Sequence, residues 1–137
     1  MSMIALFSIK PEYVEKIFSG EKMYEYRKAL FKKNVSKVVV YATKPVGKIV
    51  GEFDVNEVLE KPPNKLWRET REFSGVKLKF YNEYFYGRDV GYAIKIGKRK
   101  RYQNPVDPHT AFSSFTAPQS FAYMDEIKYK HCVDAAS

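Results

Sequence analysis

Residues 20–27 read Gly20-Glu21-Lys22-Met23-Tyr24-Glu25-Tyr26-Arg27, and this stretch decides how the surrounding chain folds. Before it, the apolar residues Tyr13, Val14, Ile17 and Phe18 recur at helical spacing behind Pro11, whose fixed φ suits a first helical turn. Gly20 can take the left-handed conformation that ends a helix, and residues 23–27 then read as a strand. The stretch is therefore a helix-to-strand corner. Positions two apart in a strand share a face, so Glu25 and Arg27 lie side by side and can pair. Lys22 joins them if it belongs to the turn after Gly20. Inside the strand it would point to the opposite face.

Working outward, residues 3–9 are a short apolar run that reads as a buried strand. Residues 38–42 and 48–59 read as two more strands, joined by a turn at Thr43-Lys44-Pro45-Val46-Gly47. Pro62-Pro63 breaks the second of these, and Asn64 can cap a helix running through Trp67 to Phe73, with Ser74-Gly75 as its stop. Residues 77–84 fit either period and are read as a short helix. Gly87 and Gly91 bracket a turn into a strand at 92–96, residues 104–108 form a loop, and residues 117–124 bring back a last strand. Strands outnumber helices, and the helices do not alternate with every strand, which argues against a doubly wound sheet. The expected class is α+β, a small mixed or antiparallel β-barrel with peripheral short helices. It occupies residues 1–124, and residues 125–137 read as a C-terminal tail.

At 137 residues the chain is the size of one domain. Its 45% apolar and 29% charged residues are ordinary globular usage. A single cysteine, Cys132, leaves no intramolecular disulfide to form and points to a reducing, cytoplasmic setting. The first ten residues scatter their apolar side chains too thinly for a spanning helix, so no membrane role is expected. The formal net charge of +8 and an aromatic content of 16%, with eleven tyrosines, suit a ligand made of phosphates and flat bases. His109 and His131 stand far apart in the chain and Cys132 adjoins one of them, so no metal or other cofactor is expected. There is no Ser-His-Asp order and no Gly-rich phosphate loop.

The pattern Gly20-x-Lys22-x-x-Glu25-x-Arg27 resembles the ASCH domain family, a branch of the PUA-like β-barrels. Leu6-Phe7-Ser8-Ile9-Lys10-Pro11 is similar to that family's opening strand and helix start. Tyr41-Ala42-Thr43-Lys44-Pro45 with Ile49-Val50-Gly51-Glu52-Phe53 is similar to its central hairpin. Pro63 with Leu66-Trp67, Tyr84-Phe85-Tyr86-Gly87, Gly91-Tyr92-Ala93-Ile94 and Pro118-Gln119-Ser120-Phe121 follow in the family's order. The resemblance implies a barrel whose cleft is lined by the motif and holds RNA, a coactivator-related ligand or a modified nucleoside.

Within such a cleft, Arg27 offers a rigid fork for phosphate, Lys22 a compact ammonium, and Glu25 an acceptor for a base amine or sugar hydroxyls. The resemblance places Ser120 there too, and it extends a positive rim to Lys10 and Lys44. Tyr41 and Trp67 are candidates for stacking on a base, with core packing as the other role open to each. Residues 98–101, Lys-Arg-Lys-Arg, can touch a phosphate backbone or simply be solvated. The favoured function is binding of single-stranded RNA or a nucleotide. Some small relatives in the family are amidohydrolases that remove an acyl group from N4 of cytidine, and they carry a threonine where Glu25 stands. An enzyme built here would be an amidohydrolase or a ribonuclease without metal, using Lys22 as base or electrostatic stabiliser and Glu25 as general base, with Glu69 or Glu72 as a second carboxylate. A third reading is a protein-interaction or regulatory domain, favoured if Phe121 or Tyr123 plugs the cleft.

Overall fold

The structure is a computed structural model, and it describes residues 3–137. Strand β1 (Met3–Ile9) runs into helix α1 (Pro11–Ser19), which is followed by β2 (Tyr24–Arg27), β3 (Val35–Ala42) and the long β4 (Lys48–Lys61). Helix α2 (Pro63–Thr70) continues as one 3-10 turn (Arg71–Phe73), and α3 (Leu78–Tyr84) leads into β5 (Gly91–Val106). The chain ends with α4 (Pro108–Ala111), β6 (Phe121–Met124) and α5 (Glu126–Ala136). Among the described residues no helix is long and apolar enough to cross a membrane.

Among the described residues six strands form one sheet, in the order β2-β5-β4-β3-β1-β6. Every neighbouring pair is antiparallel except β1 and β3. The α+β class expected from the sequence holds, but the sheet is not closed by backbone hydrogen bonds, so barrel is too strong a word. Its edges are β2 and β6, strands of four residues each, and they do not pair with one another. A side chain joins them instead. Arg27 of β2 donates to the Ser8 carbonyl in β1 and to the carbonyl and Oγ of Ser120, just ahead of β6.

One face of the sheet carries a core built on Phe7, Ile9, Val38, Val40, Phe53 and Ile94, against which α1 lays Val14 and Ile17. A second core, with Leu6, Val39, Ile49 and Tyr102, is covered by α5 through Cys132 and Ala136. The segment expected as a tail is therefore a docked helix. Its N-terminus is capped by Asp125, whose side chain accepts from the Lys128 amide. A third cluster joins Tyr26 to Leu66, Tyr81 and Phe85 of the α2–α3 region. Strand β5 runs ten residues past the expected end at Ile96, through the basic run and residues 104–106, because Arg99, Lys100 and Arg101 pair with Phe53, Glu52 and Gly51 of β4. Helix α2 begins at Pro63, with Pro62 and not Asn64 at its cap.

Candidate functional site

The corner at residues 20–27 is built as its sequence requires. Gly20 ends α1 with φ of 90°, a left-handed value that costs glycine little. Lys22 lies in the turn ahead of β2, so it is released from strand alternation and its side chain turns inward, leaving 1% of it exposed. Its Nζ donates to the Ser74 carbonyl at 2.6 Å and sits 4.8 and 5.4 Å from the ring centroids of Tyr26 and Tyr13. Room for the stem comes from Gly75, where an added Cβ would stand 2.7 Å from the Lys22 Cβ and Cγ. The loop over the lysine is pinned by Met23 N–H to the Phe73 carbonyl and by Lys16 Nζ to the Gly75 carbonyl. Loss of water around the ammonium pulls the Lys22 pKa down to about 8, against the opposing attraction of the Glu25 carboxylate. Near neutral pH this amine can therefore give up or take a proton readily.

Glu25 and Arg27 share a face of β2 and form a buried ion pair. Arg27 Nε and Nη2 both reach Glu25 Oε2, at 3.0 and 2.8 Å. The two Nη1 bonds to Ser120 and the Nη2 bond to Ser8 complete a set of five hydrogen bonds, matching the five N–H donors of a guanidinium. The guanidinium carbon also lies over the Phe7 ring, 4.5 Å from its centroid. Arg27 is thus fully engaged by the protein. Glu25 is not: among the described residues its Oε1 accepts no hydrogen bond.

These side chains border a cavity of about 440 Å3. Its aromatic wall comprises Tyr13, Tyr26, Phe80, Tyr81 and Tyr84, and its rim carries Lys10 and Lys28. Gln119 and Ser120 enter from the segment before β6. The ring hydroxyls on the inner wall are tied back to the protein. Tyr26 bonds Thr70, Tyr81 donates to the Pro63 carbonyl, and Tyr84 donates to the Tyr26 carbonyl. Burial pushes the Tyr26 pKa up to about 12, so its phenol stays protonated. The cavity combines flat apolar walls, a carboxylate oxygen, an amine of adjustable charge and a cationic mouth. That set can stack a planar ring, accept from its amino group, and attract a phosphate.

Residues 7–136 match the ASCH domain family model. This chain belongs to the ASCH domain family. It is 24% identical over 140 residues to an ASCH domain-containing ribonuclease of Zymomonas mobilis, a match covering 97% of this chain and 92% of that protein. The crystal structure of ASCH from Zymomonas mobilis has the same fold, with a TM-score of 0.89 at 23% identity, covering 96% of this chain and 94% of the other. A protein of Ureaplasma parvum named ATP synthase subunit alpha is 32% identical over 120 residues, covering 87% of this chain. The chain spans 15% of that protein's length.

Against the expectations for an ASCH cleft, Lys22, Glu25, Arg27, Lys10 and Ser120 all border the cavity. Tyr41, Lys44 and Trp67 do not. Tyr41 is buried in the second core against Phe115, and Lys44 is exposed in the turn before β4. Trp67 packs on Tyr81 at 4.7 Å and so supports the cavity wall from one layer behind. Glu69 pairs with Lys61, outside the lining. Glu72 is exposed. In the basic run, Arg99 donates to the Lys22 carbonyl and Arg101 pairs with Glu15. Phe121 packs on Phe7 and Phe31, and the Tyr123 hydroxyl accepts from the Lys32 and Lys33 amides, so neither ring plugs the ASCH cleft. Tyr13, Lys28, Phe80, Tyr84 and Gln119 are lining residues that the motif does not name. The spacing of Phe80 and Tyr84, four apart in a helix, was the signal available for two of them.

Proposed function

We propose that this ASCH domain binds single-stranded RNA by taking a nucleotide into the cleft of Lys22 and Glu25. The carrying observation is the composition of that cavity: five aromatic rings, an unpaired carboxylate oxygen on Glu25, and lysines at the mouth. Aromatic stacking contributes about 1–3 kcal/mol per base and tolerates any base, while the lysines exchange counterions for phosphate. The relative named a ribonuclease supports RNA as the ligand class. Phe80 is the ring to test, because it is 38% exposed and its loss leaves the core intact. Phe80→Ala is expected to weaken binding of a labelled single-stranded oligoribonucleotide by the equivalent of about 1–3 kcal/mol in fluorescence anisotropy. Wild-type affinity in that variant, or binding indifferent to salt, would count against the reading.

A second reading, hydrolysis, is favoured by the pairing of Lys22, whose pKa lies near 8, with the open oxygen of Glu25. In that case Glu25 takes a proton from the attacking hydroxyl or water, and Lys22 stabilises the developing negative charge. Its substrates are RNA or an N4-acylated cytidine. Mass spectrometry of each after incubation should show product with the wild type and none with folded Glu25→Gln. Intact substrate with the wild type leaves binding as the function.

A further inference from the structure

The two lysines at the cleft mouth are held over neighbouring rings of one helix. Lys10 Nζ lies 5.3 Å from the centroid of Phe80, and Lys28 Nζ lies 4.7 Å from that of Tyr84. Phe80 and Tyr84 are four residues apart on α3, which sets them one turn apart, with roughly 5–6 Å between Cβ atoms. The lysines themselves come from different segments, Lys10 from the end of β1 and Lys28 from the end of β2. Both are exposed, and neither has a carboxylate partner among the described residues. The other two cations of the cleft are differently placed. Arg27 has no N–H left to give, and Lys22 is buried with one donor already on Ser74.

We infer that the cleft is built for an internal nucleotide of a continuous strand, with Lys10 and Lys28 holding the two consecutive phosphates that flank it. The inference rests on the proposed reading of the cleft as an RNA site and names the part of the strand it grips. A cation stacked on a ring is oriented before the ligand arrives, so its ammonium faces the mouth without being drawn into an ion pair. Two lysines from different segments, over successive turns of one helix, serve a strand that enters past one segment and leaves past the other. A free nucleoside reaches neither lysine, and a nucleoside monophosphate reaches one.

The test is the salt dependence of binding for a mixed-sequence single-stranded oligoribonucleotide, measured on the full chain as wild type, Lys10→Gln, Lys28→Gln, the double variant, and Lys100→Gln as an exposed cation outside the cleft. Each phosphate neutralised on a single strand contributes about 0.7 to the slope of log affinity against log salt. The slope is expected to fall by about 0.7 in each single variant and about 1.4 in the double variant, and to stay at the wild-type value in Lys100→Gln. A double variant that keeps the wild-type slope, while Phe80→Ala still weakens binding, overturns the phosphate assignment and leaves the cleft as an RNA site. An equal fall in slope for Lys100→Gln likewise overturns it, since the strand would then run over the basic surface. Absence of any oligoribonucleotide binding by the wild type overturns both.

Discussion

At the scale of single residues, Arg27 and Lys22 carry opposite duties despite their like charge. Arg27 joins β2 to β1 and to the segment before β6, and it fixes one oxygen of Glu25, a residue that lines the cavity, while the other accepts no hydrogen bond among the described residues. Removing one member of a buried pair strands the other charge, so Arg27→Ala should cost about 3–5 kcal/mol in urea denaturation. The folded fraction should keep the wild-type salt slope for RNA, because the five N–H donors of this guanidinium are already taken up within the protein. Lys22 is buried at a cost that depends on pH. Its pKa falls from 10.5 to about 8 on folding, so between those values the unfolded chain holds the extra proton and stability rises with pH. Below about pH 8 both states hold the proton, and burial of the charge costs about 3 kcal/mol. Urea midpoints for wild type and Lys22→Met should therefore converge in the wild type's favour as pH rises from 7 to 10. Parallel pH profiles would contradict the burial of a charged Lys22.

At the scale of elements, α5 is held to the sheet by Glu52, which is 4% exposed. Tyr129 of α5 donates to both its oxygens at 3.0 Å, Tyr102 of β5 donates at 2.9 Å, and Lys37 of β3 pairs with it at 2.8 Å. Burial alone would raise the Glu52 pKa, but these donors together hold it below the usual carboxylate range. Tyr129→Phe removes a hydrogen bond to a charged group and should cost about 1.5–3 kcal/mol. Cys132, on the fully buried side of α5 with its thiol pKa pushed up to about 11 by desolvation, reports on this docking. Its alkylation should be slow in the wild type and faster in Tyr129→Phe, with cleft residues unmoved in amide exchange.

The same elements show what the sequence could reveal. β1, α1 and the corner were legible because an apolar run, a helical period and a stop glycine follow one another without conflict. α5 was not, since Ile127 of its apolar residues is 73% exposed and the rest cover too narrow a stripe to mark a face. The far half of β5 was hidden because Lys98, Lys100 and Arg101 point to solvent and its inward residues are spaced by irregular register. Of the candidate site, the motif residues could be named from the resemblance to the ASCH family, and strand spacing added that Glu25 and Arg27 share a face. Of the aromatic wall, the four-residue spacing of Phe80 and Tyr84 marked two rings, but that α3 meets the corner is tertiary packing that local pattern does not encode, and Tyr41 and Trp67 are rings of the same kind used for core.

At the scale of the molecule, an excess of positive charge draws a polyanion from any direction, yet the basic surface is unevenly available. Arg99 and Arg101 are committed to the protein, whereas Lys10 and Lys28 wait at the mouth of a cavity lined with rings. The open sheet matters here. Because β2 and β6 are bridged by a side chain in place of a backbone seam, the ends of β1 and β2 and the segment before β6 meet around a cavity. The central claim is that this cavity, and not the basic strand, receives RNA. Titration of a single-stranded oligoribonucleotide into isotopically labelled protein, followed by NMR, tests it most directly. The account expects the largest shifts at Tyr13, Lys22, Phe80, Tyr84 and Gln119. Shifts confined to residues 98–101, with those five unchanged, would contradict it.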